Sequence, residues 1–260
     1  MSSCWTMPES LPNLATDKLQ LWRINLGDAG RARVEIRGLL NQAYVALTLE
    51  ERDRAARMRA GTPRDEFVAG RGCLRRLLGV AVDVPPRTLV LETGSHGKPR
   101  LRPEPGVTLP AFNVAHSRGV ILIGLSMAGE IGVDVEYVDP GVELYDIART
   151  AFHAADLARI QLAATQDERL IQFYRCWTRR EAVAKADGRG LSLEPTAFAA
   201  GADSAAEHEV LLREPLPTQR FFVRGIEAGA SHLAAVALAN RELRLHCYDL
   251  SPRSPLLFSE

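Results

Sequence analysis

A plan that recurs in the two halves of the chain restricts its fold more than any other feature. Two segments with helical periodicity, residues 64 to 79 and 168 to 187, each lead through strand-like pieces to a strongly apolar run, VILIGLS at 120 to 126 and LAAVALA at 233 to 239. In both segments a phenylalanine (Phe67, Phe173) is followed four residues on by Arg71 or Trp177, and four further on by a charged residue, Arg75 or Glu181. Positions i, i+4 and i+8 lie along one side of an α-helix, so the two helices present related faces. Similarity of this kind points to an internal duplication with its join near Ala128 to Glu130. Helices and strands alternate without a uniform βαβ rhythm, which predicts an α+β protein: a pseudo-twofold pair of similar halves with the functional cleft between them. The expected organisation is a loosely held Pro- and Ser-rich segment at 1–18, an N-terminal half at 19–129 and a C-terminal half at 130–260.

Within that plan the alternation of LQLWRINL at 19 to 26 predicts a strand, and a helical region follows. Thr48 followed by Glu50 and Glu51 opens a helix over 48 to 60, and strand-like pieces lie at 87 to 92, 111 to 115, 120 to 126 and 131 to 138. The second half is expected to hold a helix over 152 to 162, the long helix at 168 to 187, and strands in LSLEPTAFAA, EVLLRE, RFFVRGIEA and HLAAVALA.

Chemistry concentrates in three fragments. In GVDVE at 132 to 136, the twofold period of a strand puts Asp134 and Glu136 on one face and Val133, Val135 and Tyr137 on the other. Two adjacent carboxylates suit a hard cation such as Mg²⁺ or Mn²⁺, or else form the solvated face of an edge strand. In WTRREAVAK at 177 to 185, Glu181 falls about 40° from Trp177 on the helical wheel, within the apolar stripe of Leu170, Phe173, Tyr174, Trp177 and Ala184. An acid there needs a partner, either a metal or Lys185 one turn on. In FNVAH at 112 to 116, His116 sits in or near a turn upstream of the carboxylate strand, within reach of the same cleft. Arg71 lies inside the stripe of Phe67, Leu74 and Leu78, where its guanidinium takes a phosphate or an internal carboxylate, or reaches solvent on a snorkelling stem.

Lys plus Arg equal Asp plus Glu at 32 each, so no basic excess advertises nucleic acid or an anionic membrane as a partner. Residues 50 to 76 nonetheless carry eight arginines against five acids. Cys4, Cys73, Cys176 and Cys247 form no CxxC pair, which fits reduced cytoplasmic thiols rather than a zinc site or disulfide framework. MSSCWTMPES lacks a basic-then-apolar signal pattern, and the expected location is the cytoplasm.

FNVAH, GVDVE and FYRCWTRREAVAKADGRGLSL at 173 to 193, with GKPRL at 97 to 101 and VAGRGCLR at 68 to 75, follow one another in a family order. The chain resembles the Sfp-type 4′-phosphopantetheinyl transferases. The resemblance implies a pseudo-twofold fold and an enzyme that uses coenzyme A and Mg²⁺ to place a phosphopantetheine arm on a serine hydroxyl of an apo acyl or peptidyl carrier protein. 3′,5′-ADP would be released, in the service of polyketide, nonribosomal peptide or fatty acid synthesis. It implies Asp134, Glu136 and Glu181 as metal ligands, with Asp134, Glu181 and Lys185 in the catalytic machinery. Coenzyme A would meet Lys185, His116, Lys98, Pro99 and Arg100, with Arg57, Arg64, Arg71 and Arg75 as competing candidates for its 3′-phosphate. An internally duplicated site needs no second subunit, so a monomer is expected. The chain departs from the family in Ala115-His116, where Ser-His is usual, and in Arg180-Glu181-Ala182, where Lys-Glu-Ala is usual. Two other classes use similar residues: a metal-dependent phosphodiesterase or nuclease, and a catalytically silent coenzyme A or carrier-protein binding module.

Overall fold

Strands whose every residue is apolar belong to sheets covered on both faces, and the run VILIGLS is buried at all seven positions. The computed structural model describes residues 5–8, 12–27, 33–94, 97–190, 193–194, 196–201, 207–213, 217–239, 244–251 and 254. Its first elements are β1 (Trp5–Thr6), β2 (Leu19–Asn25), α1 (Arg33–Val45), α2 (Leu49–Arg57) and α3 (Thr62–Val82). The strands β3 (Leu91–Thr93), β4 (Pro99–Leu101), β5 (Ala111–Ser117), β6 (Val120–Ser126) and β7 (Ile131–Tyr137) follow. Then come α4 (Leu144–Ala151), α5 (Ala154–Leu162), α6 (Gln166–Asp187), β8 (His208–Leu212), β9 (Gln219–Gly229), β10 (His232–Ala239) and β11 (Leu245–Asp249).

Two sheets form the centre, in the orders β1-β11-β2-β6-β5 and β7-β10-β9-β8, and β3 and β4 make a small separate pair. The duplication is visible in the strand order. β2 pairs antiparallel with β6 of the β5–β6 hairpin, and β7 pairs antiparallel with β10 of the β9–β10 hairpin. In each half the first strand is followed by helices, the longest of them (α3, α6) just before the later strands. Leu19, Leu21, Ala115 and Leu122 of one sheet meet Val133, Val135, Ala234 and Val236 of the other in a shared core. Trp22, Ile121 and Ile123 turn outward to Leu74 and Leu78 of α3, while Ala235 and Ala237 turn outward to Val183 and Ala186 of α6. The layers are therefore helix, sheet, sheet, helix.

Side chains join the sheets at both margins. Val133 N–H donates to Asn113 Oδ1 (2.9 Å), Tyr137 N–H to Ser117 Oγ (3.1 Å), and Lys98 Nζ to the Ile131 carbonyl (2.9 Å). On the far side Trp5 Nε1 donates to the Glu227 carbonyl (2.8 Å) and Arg23 Nη1 to that of Ala228 (2.9 Å). These bonds satisfy backbone groups that a strand edge would otherwise leave bare.

Several elements differ from the sequence reading. Trp5 and Thr6 pair with β11, and Gln20 Nε2 donates to the carbonyls of Pro12 and Asn13, so the described part of the first 18 residues is held in place. In the piece at 87 to 92 only Leu91 and Glu92 are strand, as part of Leu91–Thr93; Thr88 N–H and Oγ1 both donate to the Pro85 carbonyl and hold its start in a turn. The helix expected at 152 to 162 begins two residues later: Phe152 closes α4, and His153 caps α5 by accepting from Ala155 N–H. The described residues of LSLEPTAFAA are not strand; Ala200 and Gly201 N–H groups donate instead to the buried Asp156 carboxylate. Residues 191, 192 and 195 lie outside the described ones. β11 returns from the end of the second half to lie parallel to β2 in the first half's sheet.

α6 lies unusually close to β7, and Gly132 is the reason. A Cβ at that position would stand 1.9 Å from the Ala182 carbonyl oxygen and 2.4 Å from Ala186 N, both backbone atoms. Gly132→Ala should therefore lower stability by about 3 kcal/mol, since neither helix nor strand can yield without losing core contacts. Gly38→Ala, in α1 with nothing within 4 Å of the new methyl, should raise it by roughly 0.5–1 kcal/mol. Urea unfolding of both variants checks the contrast.

Candidate active site

The close approach of α6 brings Lys185 onto β7. Lys185 Nζ lies 2.6 Å from Asp134 Oδ1. Asp134 Oδ2 is buried with no hydrogen-bond partner among the described residues. Burial pushes the Asp134 carboxyl up to about 6; Lys185 opposes the shift, and the charges of Glu136 and Glu181 add to it. Strand parity thus places Asp134 and Glu136 as expected, and Glu181, one turn before Lys185, lies close enough to be felt electrostatically. Glu136 Oε2 accepts from Ser117 Oγ at 3.0 Å, and Glu181 Oε1 accepts from Arg180 Nη1 at 2.8 Å.

Asp134, with its unsatisfied buried oxygen, and Glu136 and Glu181, whose charges it feels, are carboxylates, the donor type that a hard divalent cation takes. Among the described residues no three His, Cys, Asp or Glu side chains stand in metal-holding geometry. Asp134 and Glu181 are instead drawn to Lys185 and Arg180.

A second locus is a cleft of about 650 Å³ lined by Arg54, Arg57, Arg71, Arg75 and Arg87, with Glu51 in its wall. Its electrostatics turn on Glu51. This residue closes a capping box at the start of α2, with Thr48 N–H donating to Oε2 (3.0 Å) and Glu51 N–H donating to Thr48 Oγ1 (3.3 Å). The same oxygen takes Arg75 Nε at 2.6 Å, whereas Arg71 Nε reaches Oε1 only at 3.5 Å. Arg75 also donates to the Pro86 and Leu89 carbonyls, so its guanidinium is spent on the fold. Burial lowers the pKa of Arg71; Glu51 offsets this, and Arg75 and Arg54 add to it. An anion in the cleft would relieve that crowding of positive charge. Of the four early arginines named from sequence, Arg57, Arg71 and Arg75 line the cleft and Arg64 does not.

Lys98, Pro99 and Arg100 line a smaller cleft of about 300 Å³ with Phe112, Glu130, Asp187 and Gly188, and Pro99 borders the arginine cleft as well. Lys98 is tied to Glu130 Oε2 at 2.6 Å, while Arg100 is largely exposed. His116 faces α3, its Nδ1 3.0 Å from Glu66 Oε2, with half the side chain open to solvent. Ala115, its neighbour on β5, points the other way into the core between the sheets. The methyl in place of the usual hydroxyl is therefore a packing group on the face opposite the histidine.

Arg54, Arg87 and Ser117 were not among the residues singled out from sequence. Arg54 could have been found from its position three residues before Arg57 on α2. Ser117 could have been found from parity, two residues beyond Ala115 on the face that meets β7.

The family model for the 4′-phosphopantetheinyl transferase superfamily matches residues 130–237, the stretch from β7 through α6 to β10. The chain is 31% identical over 183 residues to the 4′-phosphopantetheinyl transferase HetI of Nostoc sp., covering 70% of this chain and 74% of HetI. It is 25% identical over 200 residues to a 4′-phosphopantetheinyl transferase of Bacillus subtilis, covering 77% and 85%. It is 31% identical over 175 residues to a phosphopantetheinyl transferase of Thraustochytrium sp., of which it spans 57%. The chain belongs to the 4′-phosphopantetheinyl transferase superfamily.

The Asp134 carboxyl holds its proton to higher pH in the native state than in the unfolded chain, whose ordinary value is 3.8. Its burial thus costs stability progressively as pH rises through about 6. In metal-free buffer Asp134→Asn should be more stable than wild type by about 2 kcal/mol near neutral pH, with the advantage vanishing as pH falls toward ~4. Denaturant unfolding in EDTA across that range checks the sign.

Proposed function

We propose that this protein transfers the 4′-phosphopantetheine arm of coenzyme A to a serine hydroxyl of an apo carrier protein, releasing 3′,5′-ADP. The observation that carries the reading is the junction of Lys185, Asp134 and the unsatisfied Asp134 Oδ2 where α6 crosses β7, with Glu136 and Glu181 beside it. Membership of the superfamily supports the reaction class.

Asp134, Glu136 and Glu181 would hold Mg²⁺, with Mn²⁺ as a substitute of similar chemistry. When bound, the ion neutralises charge on the pyrophosphate oxygens and polarises the phosphorus under attack. The remaining work falls to the chain. Arg71, with Arg54, Arg57 and Arg87 around it, receives the 3′-phosphate in the arginine cleft. Pro99, bordering both clefts, marks the path of the nucleotide between them, and Lys98, Arg100 and the exposed side of His116 complete its contacts.

Lys185 leaves Asp134 for the pyrophosphate and stabilises the departing 3′,5′-ADP. As the serine oxygen forms its bond to the pantetheine phosphorus, the bond from that phosphorus to the bridging oxygen breaks, and Glu181 receives the serine proton. Phosphoryl transfer asks mainly for such positioning and for cations on the developing charge.

Both halves of the site come from one chain, so we propose a monomer. Cys73 and Cys176 are free and buried, which suits a reducing cytoplasm. No described helix is long and apolar enough to cross a membrane.

Incubation with coenzyme A, Mg²⁺ and a panel of apo carrier proteins should add the mass of one phosphopantetheine, and chelation should prevent it. No gain on any carrier, with coenzyme A still bound, would leave a binding module in place of the enzyme. Lys185→Ala should lower kcat by about 100-fold or more. Arg71→Ala should raise KM for coenzyme A by roughly 10-fold with kcat little changed, as expected for lost charge-assisted binding to a phosphate. Steady-state kinetics in coenzyme A separate the two.

A further inference from the structure

Ser117 stands where three strands meet. Its hydroxyl accepts from Tyr137 N–H (3.1 Å) on β7 and donates to Glu136 Oε2 (3.0 Å) on the same strand. Its carbonyl oxygen lies 3.0 Å from His232 Nε2 on β10, which donates in the tautomer that carries its proton there. A backbone N–H can only donate, so the serine oxygen must accept at that contact, and its single proton is left for the carboxylate. The direction of the Ser117–Glu136 bond is therefore imposed by the backbone of β7.

The neighbours of Ser117 make the junction rigid. His116 is held by Glu66 of α3. Arg118 pairs with Asp139 Oδ2 at 2.7 Å, and its guanidinium lies 4.1 Å from the centre of the Tyr137 ring. Three consecutive residues thus tie the β5–β6 turn to α3, to Glu136 and to the end of β7. A glutamate has three rotatable side-chain bonds, and ordering it for a ligand costs entropy that a pre-formed hydrogen bond lowers. Asp134, by contrast, is a shorter side chain held by burial.

We propose that Ser117 is a positioning residue that aims the Glu136 carboxylate toward Asp134 for the divalent ion, so that a ligand borne by the second half is set by a side chain of the first. The inference rests on the metal reading of the three acids given above. Hydrogen bonds from beyond the ligand shell characteristically tune metal affinity by one to two orders of magnitude.

The test compares wild type, Ser117→Ala, Ser117→Thr and Glu136→Gln. Mn²⁺ binding is followed by electron paramagnetic resonance in the presence of coenzyme A, and transfer is measured against Mg²⁺ concentration. Ser117→Ala should weaken Mn²⁺ binding and raise the Mg²⁺ needed for half-maximal rate by about 10-fold. KM for coenzyme A at saturating Mg²⁺ should stay near that of wild type. Ser117→Thr, which keeps the hydroxyl on a side chain suited to a strand, should restore the metal constants. Combined with Glu136→Gln, Ser117→Ala should add little further loss.

Unchanged metal constants in Ser117→Ala, failure of the threonine to rescue, or fully additive losses would each overturn the proposal. If the alanine variant does not fold, Ser117→Cys, a weaker donor of similar shape, carries the same expectation. Should wild type itself bind no Mn²⁺ and transfer without metal, the metal reading fails, and with it the role of Ser117. That outcome is read from wild type alone and is distinct from failure of the variant.

Discussion

Everything at the proposed catalytic centre depends on how near α6 can come to β7. A helix normally packs on a sheet through its side chains, at a distance set by their bulk. Here Gly132 in the strand and Ala182 and Ala186 in the helix remove that bulk, and backbone meets backbone. The consequence is electrostatic. Lys185 can span the gap to Asp134, and Glu181 comes within range of the same carboxylate. The core around this contact is apolar, which makes the desolvation of Asp134 large enough to outweigh its lysine partner.

The two halves share a strand order and a long helix but place different side chains on that helix. α3 carries Arg71 and Arg75 into its cleft, whereas α6 carries Glu181 and Lys185 to β7. In the proposed reaction such a duplicated scaffold lets a phosphate-bearing substrate meet arginines from one copy and the carboxylates and Lys185 from the other. The two are brought together by the apolar face that the two sheets share.

Much of this was legible along the chain because it rests on short-range periodicity. The buried strands β6, β7 and β10 stand out as apolar runs, the Thr48 cap as a local pattern, and the shared face of Asp134 and Glu136 as simple alternation. The pairings at the candidate site are long-range and carry no local signature. Lys185 meets Asp134 and His116 meets Glu66 across some fifty residues. Besides Glu51, Arg75 finds its acceptors in backbone carbonyls, which any residue supplies, so nothing in the sequence marks its guanidinium as spent on the fold. α4 goes unread, and Phe152, which closes it, reads as the start of the next helix because an apolar residue beside a cap carries no mark of which helix it serves. The orientation of Ala115 was open to the alternation argument used for Asp134, and its place beside the histidine in sequence obscured it.

The return of β11 bears on how the chain acquires its structure. β11 is an interior strand, seated between β1 and β2, and it reaches that place only after the whole second half has been made. Until residues 245–249 leave the ribosome, β2 keeps an open edge and β1 has nothing to pair with. The sheet of the first half is thus completed from outside that half, for all its internal resemblance to the second, and ribosomal synthesis leaves it open until β11 emerges. Such distant pairing is slow to form, because a long loop must close before any contact rewards it. Two copies of one plan are joined by β11, which follows every other described strand along the chain.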